Sequence, residues 1–271
     1  MNTEIHISSL QNPTVKLLLE LQQKSRSRNK YKKFVVEGIN EIRLCIHGGF
    51  KIDSLFYSEH YTSETELISD LGIKENSFPF VKVSNAVFEK IAYRKDVKNA
   101  IALVAFSEKS TSDIVLKPNM LLLVAEGIEK PGNLGAILRS ADAMGADAVI
   151  LCDPRCDIYN PNVIRGSVGS VFAIPVISCK NITALEFLQN HQFQIFTTFM
   201  ESAKNAWNVN FVNRSAILVG TESTGLTDFW KKPGHQNVNI PMFGKVDSLN
   251  VSVAVSLLLY EARKQMETNE K

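Results

Sequence analysis

The sequence predicts an α/β protein in two parts: a smaller N-terminal α/β domain followed by a second α/β domain. Three observations carry this. Short aliphatic and β-branched runs alternate with segments of helical spacing along the chain. Met120–Ala125 is apolar at every position, as a strand buried on both faces between helix layers must be. Between the halves, Glu108–Asn119 is rich in Lys, Ser, Thr, Asp and Pro, with one short apolar interruption at Ile114–Leu116. These residues place a linker at 113–118, leaving domains of 1–112 and 119–271.

In the first domain, Val15, Leu17, Leu18, Leu19 and Leu21 predict a helix with Pro13 in its first turn, running on into a basic stretch that ends at Lys33. Phe34–Gly38 reads as a strand and turn. Ile39–His47 has helical spacing, stopped by Gly48-Gly49. Strands follow at Ile52–Tyr57, Phe80–Val83 and Ala100–Phe106. Thr62–Ser69 reads as helix, and Ser84 can cap the helix holding Val87, Phe88 and Ile91. A largely parallel or mixed sheet results.

In the second domain, the helix expected from about Leu134 to Met144 places Leu134, Ile137, Leu138, Ala141 and Met144 on one stripe, with Gly145 ending it and Asn133 as its cap. Further strands are expected near Ala148–Leu151, Val171–Val176, Phe193–Thr198 and Ala216–Val219. The last helix is expected from about Leu249 to Gln265. It is apolar on most faces over Val251–Tyr260, so much of it should be buried.

Composition narrows the function classes. The 271 residues are 45% hydrophobic and 21% charged, with 30 basic and 28 acidic side chains and a formal charge of +2, which excludes a histone-like polybasic protein. The basic excess is local. Residues 1–112 carry 16 basic and 13 acidic side chains, and Gln22–Lys33 alone holds six basic residues and no acidic one. Cys45, Cys152, Cys156 and Cys179 are too few and scattered for a disulfide scaffold, and Cys152 and Cys156 lack a second pair or a His cluster to complete a zinc site. The five histidines do not cluster, so no metal is expected. Met1–Leu10 is polar and no apolar run approaches a membrane span, so the cytoplasm is the expected compartment.

Ligands of open α/β sheets bind beyond the carboxyl ends of strands, and three polar, Gly-bearing loops follow strands of the second domain. The first, Glu126–Arg139, contains Asn133, Gly135 and Arg139. The second, Gly220–Gly225, brackets Glu222 between two glycines that let a loop fold tightly against a flat ligand. The third, Ile240–Asn250, contains Ile240, Pro241 and Met242, then Ser248 as an N-cap and Asn250 inside the start of the last helix, where a buried amide needs partners. Dinucleotide, phosphate-loop and nucleophile-elbow motifs are absent.

These segments, in this order, resemble the SpoU (TrmH-like) RNA methyltransferases of the SPOUT superfamily. Asn133, Gly135 and Arg139 match N-x-G-x-x-x-R. Gly220, Glu222, Gly225 and Leu226 match G-x-E-x-x-G-L. Ile240, Pro241, Met242, Ser248, Leu249, Asn250, Ser252 and Ala254 match I-P-M…S-L-N-V-S-V-A. The resemblance covers roughly Asn119–Lys264. More loosely, Phe34–Gly38 and the pattern after it look like the family's substrate-binding domain, which is similar to certain RNA-binding ribosomal proteins. Where many relatives carry Gln-Gly before the closing strand, Val97-Lys98-Asn99-Ala100 stands here.

The resemblance implies a C-terminal α/β-knot, a deep trefoil with a mostly parallel sheet. It implies a homodimer formed through the methyltransferase domain, with S-adenosylmethionine as cofactor and RNA as partner. The reaction implied is methyl transfer to a ribose 2′-hydroxyl, in ribosomal more than transfer RNA. On the same footing Thr198, Val219, Gly220, Thr221, Glu222, Gly225, Ile240, Met242, Ser248 and Leu249 would hold the cofactor, and Asn133, Arg139, Ser248 and Asn250 would form the catalytic set. A guanidinium stays protonated, so Arg139 reads better as a clamp on phosphate and developing charge than as a base. Arg165, in Arg165–Ser170, would touch RNA or the dimer partner. Lys24, Arg26, Arg28, Lys30 and Lys32 would neutralise RNA phosphates. Two other readings stand beside this one: a knotted RNA-binding protein without catalysis, acting in ribosome assembly, and methylation of a base.

Overall fold

A computed structural model describes residues 5–93 and 99–269. Val97 and Lys98 of the substituted Gln-Gly position lie outside the described residues. The chain divides into two compact units, residues 1–107 with 159–173, and residues 108–158 with 174–271.

The first unit opens with β1 (Ile5–Ile7), α1 (Pro13–Gln23), α2 (Ser25–Tyr31), β2 (Lys33–Glu37), α3 (Ile39–His47) and β3 (Lys51–Tyr57). It continues with α4 (Glu64–Leu71), β4 (Phe80–Val83), α5 (Asn85–Ile91) and β5 (Ile101–Ala105). Its sheet runs β1-β4-β3-β5-β2 and is mixed: β4 lies parallel to β1 and β3, while β5 is antiparallel to β2 and β3. Asn12 caps α1, accepting the Thr14 N–H at 2.8 Å, and Pro13 takes the first helical position, where its missing N–H costs nothing. α1 does not run into the basic stretch as expected. It stops at Gln23, Lys24 is extended, and the Arg28 guanidinium turns inward to the Leu21 and Gln22 carbonyls that the helix end leaves free.

The second unit holds β6 (Met120–Glu126), α6 (Pro131–Ala143) and β7 (Ala148–Cys152). The chain then returns to the first unit as α7 (Pro161–Ser167) and α8 (Ser170–Ala173). The return has an aromatic cause: Tyr159 and Phe172 stack on Phe34, with centroids 4.3 and 5.7 Å away. The remainder is β8 (Val176–Cys179), α9 (Asn181–Asn190), β9 (Gln194–Thr197), β10 (Lys204–Asn205), β11 (Arg214–Val219), β12 (Gln236–Asn239) and α10 (Val251–Asn269). The strand expected over Val171–Val176 is therefore corrected. Its first part is helical, and the strand starts at Val176, after Pro175, which has no N–H to give a ladder.

The sheet order is β10-β12-β9-β11-β6-β7-β8, and every pairing in it is parallel. All seven β6 residues are buried. The order reverses direction at β6, which lies between β7 and β11, so the loops after β6 and β11 flank a switch point. α10 packs along α6, where the Ser140 and Ser256 hydroxyls meet at 2.7 Å and Arg263 Nε donates to the Met144 carbonyl at 3.0 Å. α10 is less buried than its composition suggests. Val255, Leu258, Leu259 and Ala262 are buried, while Val253, Leu257 and Tyr260 form an exposed stripe.

Candidate active site

The loop after β11 is shaped by its glycines. A Cβ on Gly220 would lie 2.0–2.2 Å from the Gly225 carbonyl and the Leu226 nitrogen, so only glycine lets these strands of chain meet. Gly225 has φ +68, and Thr221 and Gly225 exchange main-chain hydrogen bonds of 3.1 and 3.0 Å. The acidic residue between them is thereby thrust outward over the end of β6.

There Glu222 meets the other two loops. Its Oε1 accepts from Asn250 Nδ2 at 2.6 Å, and its Oε2 lies 2.7 Å from Lys130 Nζ. Asn250 Nδ2 also reaches Asn133 Oδ1 at 3.3 Å. The Lys130 ammonium holds the Glu222 carboxyl below the usual carboxylate range, helped by the Asn133 amide and the Val251 N–H, and Glu222 in turn raises Lys130. Ile128, Glu129, Lys130, Asn133, Thr221 and Glu222 line a pocket of about 380 Å³, closed by Ser223 and Val251.

Two local readings of the sequence change. α6 begins at Pro131, so Asn133 is its third residue and not its cap. Asn250, not Ser248, caps α10: its Oδ1 accepts the Ser252 N–H at 2.9 Å, and its carbonyl accepts from Val253 and Ala254. Asn250 is thus exposed at the helix entrance and not inside a buried turn, and its partners are the site residues themselves.

The structure brings Asn133, Thr221, Glu222 and Asn250 together and sets Gly220 and Gly225 under them. Thr198 is bonded to the Leu218 carbonyl at 3.1 Å, beside buried Val219 at the end of β11. Ile240, Met242, Ser248 and Leu249 lie on the connection from β12 to α10, with Ser248 exposed. Arg139 is exposed on α6, about 120° around the helix from Asn133, and is not among the residues lining the pocket. In the first unit Lys24, Arg26, Lys30 and Lys32 are exposed, as is Arg165 on α7. Arg28 is a correction. It is 2% exposed and its guanidinium is spent on main-chain carbonyls, so it is not offered to RNA.

Two residues escape a reading of the sequence alone. Lys130 is hidden when the start of α6 is placed three residues late, although Pro131 marks a first helical position. Glu126 is an acid ending an otherwise apolar strand. It is 4% exposed, and its carboxylate accepts the Thr227 N–H at 2.8 Å, the Thr227 hydroxyl at 2.7 Å and the Asn181 amide.

Residues 120–260 match the SpoU rRNA Methylase family, and residues 12–102 match the MRM3-like substrate binding domain. The chain belongs to the SpoU rRNA Methylase family. This SpoU protein is 35% identical to a solved RNA 2′-O ribose methyltransferase, covering 96% of this chain and 99% of that one with a TM-score of 0.81. It is 26% identical to the 23S rRNA (guanosine(2553)-2′-O)-methyltransferase RlmP of Bacillus subtilis, over 95% of this chain and 98% of RlmP. The AdoMet-bound rRNA methyltransferase of Sinorhizobium meliloti shares the fold, at 24% identity and a TM-score of 0.85, over 96% of this chain and 97% of that one. The SPOUT fold expected from the motifs is borne out, as is an N-terminal substrate-binding domain. The protein is a SpoU-family RNA methyltransferase, and S-adenosylmethionine is the methyl donor of this enzyme class.

Proposed function

We propose that this SpoU enzyme methylates a ribose 2′-hydroxyl of ribosomal RNA. The observation that carries this is the meeting of Asn133, Glu222 and Asn250 at the switch point, each from a different loop, around a pocket of about 380 Å³. That volume is in the range of small-molecule clefts, roughly 300–1,000 Å³. Its lining of one amide, two hydroxyls, two carboxylates, an ammonium and the aliphatic Ile128 and Val251 suits an amino-acid and nucleoside ligand, so the residues fit S-adenosylmethionine.

When bound, the cofactor supplies an electrophilic methyl group on a sulfonium. The chain's own work is then positioning and management of one proton. Thr198, Val219, Gly220, Thr221, Glu222, Gly225, Ile240, Met242, Ser248 and Leu249 hold the cofactor. Asn133, Asn250 and Ser248 orient the reacting hydroxyl, and Arg139 stabilises the developing oxyanion and the neighbouring phosphate. Lys24, Arg26, Lys30, Lys32 and Arg165 contact RNA. The exposed stripe of Val253, Leu257 and Tyr260 on α10 is the surface for a homodimer. Among the described residues no helix is long and apolar enough to cross a membrane, and no group of three or more metal-ligating side chains occurs.

The test is transfer of label from methyl-tritiated S-adenosylmethionine into total RNA from a strain lacking this protein. Label in ribosomal RNA, at one linkage resistant to alkali, is the expected result. Label in base, or only in transfer RNA, would overturn the ribose or the ribosomal assignment. No label from a folded, cofactor-binding protein, into RNA or into assembly intermediates, would leave an RNA-binding protein without catalysis.

A further inference from the structure

We infer that Lys130 is a substrate-binding residue that exchanges Glu222 for the phosphodiester next to the target ribose. The inference rests on the methyltransferase reading of this site and adds a residue and a partner to it.

Three observations point there. First, the ion pair is placed where it can be given up. Lys130 Nζ is 2.7 Å from Glu222 Oε2, yet the lysine side chain is 71% exposed. An exposed pair of this kind contributes little to stability, so losing it for another anion costs little. Lysine is suited to such exchange, being a compact charge on a flexible four-carbon stem.

Second, Glu222 does not depend on Lys130 for its position. Its other oxygen is held by Asn250 at 2.6 Å, and Asn250 is fixed in turn as the cap of α10 and against Asn133. When Lys130 leaves, Asn250 still holds the carboxylate in place.

Third, the geometry of RNA supplies the incoming anion. The carbon bearing a ribose 2′-hydroxyl adjoins the carbon that carries the 3′-phosphate. A ribose offered to Asn133 and Asn250 therefore brings an anion to the same pocket wall, where Lys130 stands three residues before Asn133. The neighbouring acid Glu129 is already paired with Arg155, so among the described charged groups on this wall Lys130 is the cation whose partner belongs to the site. The phosphate replaces the carboxylate on Lys130, and Glu222 keeps its bond to Asn250.

The experiment uses the full chain with Lys130→Met, Lys130→Gln and Lys130→Arg, and ribosomal RNA from a deletion strain as the probe. RNA affinity is measured by filter retention at about 50 to 200 mM salt, beside kcat, KM for RNA and S-adenosylmethionine binding. The Met and Gln variants should weaken RNA binding and raise its KM by about three- to tenfold, and lower the magnitude of the salt slope by about 0.7–0.9. Cofactor binding should stay within about twofold, and Arg should restore most of the affinity through its own charge. An unchanged affinity and slope would overturn the inference. So would a fall in kcat with RNA binding intact, which would show that Lys130 serves Glu222 alone. Filter retention needs no methyl transfer, so failure of the ribose reading and failure of this one are separable.

Discussion

Glu126 and Thr227 lie 101 positions apart, and one carboxylate accepts both the main-chain N–H and the hydroxyl of that threonine, at 2.8 and 2.7 Å. Glu126 ends β6, and Thr227 closes the loop that carries Glu222. The buried acid therefore fixes one site loop to the strand from which the other site loop departs. In Glu126→Gln one of the two acceptor oxygens becomes an NH2, which faces either the Thr227 N–H or the Thr227 hydroxyl and the Asn181 amide, so donor faces donor. Loss of about 1–3 kcal/mol is expected from an unsatisfied buried group. Urea titration should show it, and titration calorimetry should show weaker S-adenosylmethionine binding even where the variant is fully folded. Wild-type cofactor affinity in the folded variant would mean that Thr227 does not steer the loop.

Gly220 and Gly225 both lie in the G-x-E-x-x-G segment, but for different reasons, and alanine separates them. At Gly220 the new Cβ would sit 2.0 Å from a main-chain carbon with no side chain able to yield. At Gly225 the same Cβ meets nothing within 4 Å, and the only penalty is φ +68. Gly225→Ala should cost about 1–2 kcal/mol. Gly220→Ala must displace backbone and should cost more, about 1–3 kcal/mol or beyond, with cofactor binding abolished. Thermal melts of the two variants provide the comparison, and equal destabilisation would contradict it.

Most strands and the first helices are legible because their signals are local. Asn12-Pro13 announces α1, Gly48 follows α3, and an unbroken apolar run marks β6. The site residues are legible as types in a spacing, yet their roles are not. Asn250 looks like an amide inside a buried helix, and only the fold shows it as the cap tied to Glu222, 28 positions away. Val171–Val176 misleads because its apolar run serves the aromatic cluster around Phe34, a packing of distant segments that no local pattern records. β12 escapes because Gln236–Asn239 is polar at three of four positions, its identity set by pairing with β9.

The basic run shows the same limit and gives a prediction. Lys24, Arg26, Lys30 and Lys32 are exposed and Arg28 is not. Neutralising the exposed four should weaken RNA binding and flatten its salt dependence, by about 0.7–0.9 in slope for each phosphate no longer neutralised, with the melting temperature little changed. Arg28→Ala should do the reverse: it frees buried carbonyls at the end of α1 and should cost about 1–3 kcal/mol. A salt slope untouched by the fourfold variant would return the run to a merely solvated face.

His235 gives the protein a pH dependence of known sign. Its ring lies 2.9 Å from the Trp230 carbonyl, and burial, with Lys232 nearby, pushes its pKa below the ordinary 6.5 despite that acceptor. The unfolded chain then binds the proton more readily than the folded one. Stability is fully present above about pH 6.5 and falls as pH drops from there through the lower folded value. His235→Asn can keep a donor toward the Trp230 carbonyl but cannot titrate. Melting temperatures at about pH 8 and about pH 5.5 should differ less in that variant than in the wild type. An equal difference would assign the acid sensitivity to other groups.

Arg139 is the last and sharpest case, because the motif and the geometry pull apart. The motif pairs it with Asn133, while the structure leaves it exposed on α6 and outside the lining of the pocket. A residue so placed adds little to the pocket that would hold the cofactor. In the proposed reaction its charge would act only once RNA brings a phosphate and a developing oxyanion to it. Arg139→Ala should therefore lower methyl transfer by about 10²–10³-fold, the loss typical of one oxyanion-stabilising group, while S-adenosylmethionine binding stays within about twofold. Arg139→Lys keeps charge without the planar fork and should recover only part of the rate. Single-turnover transfer and cofactor titration on the same preparations read the two effects separately. Loss of cofactor binding in a folded Arg139→Ala protein would place the arginine in the cofactor pocket and refute this division of labour.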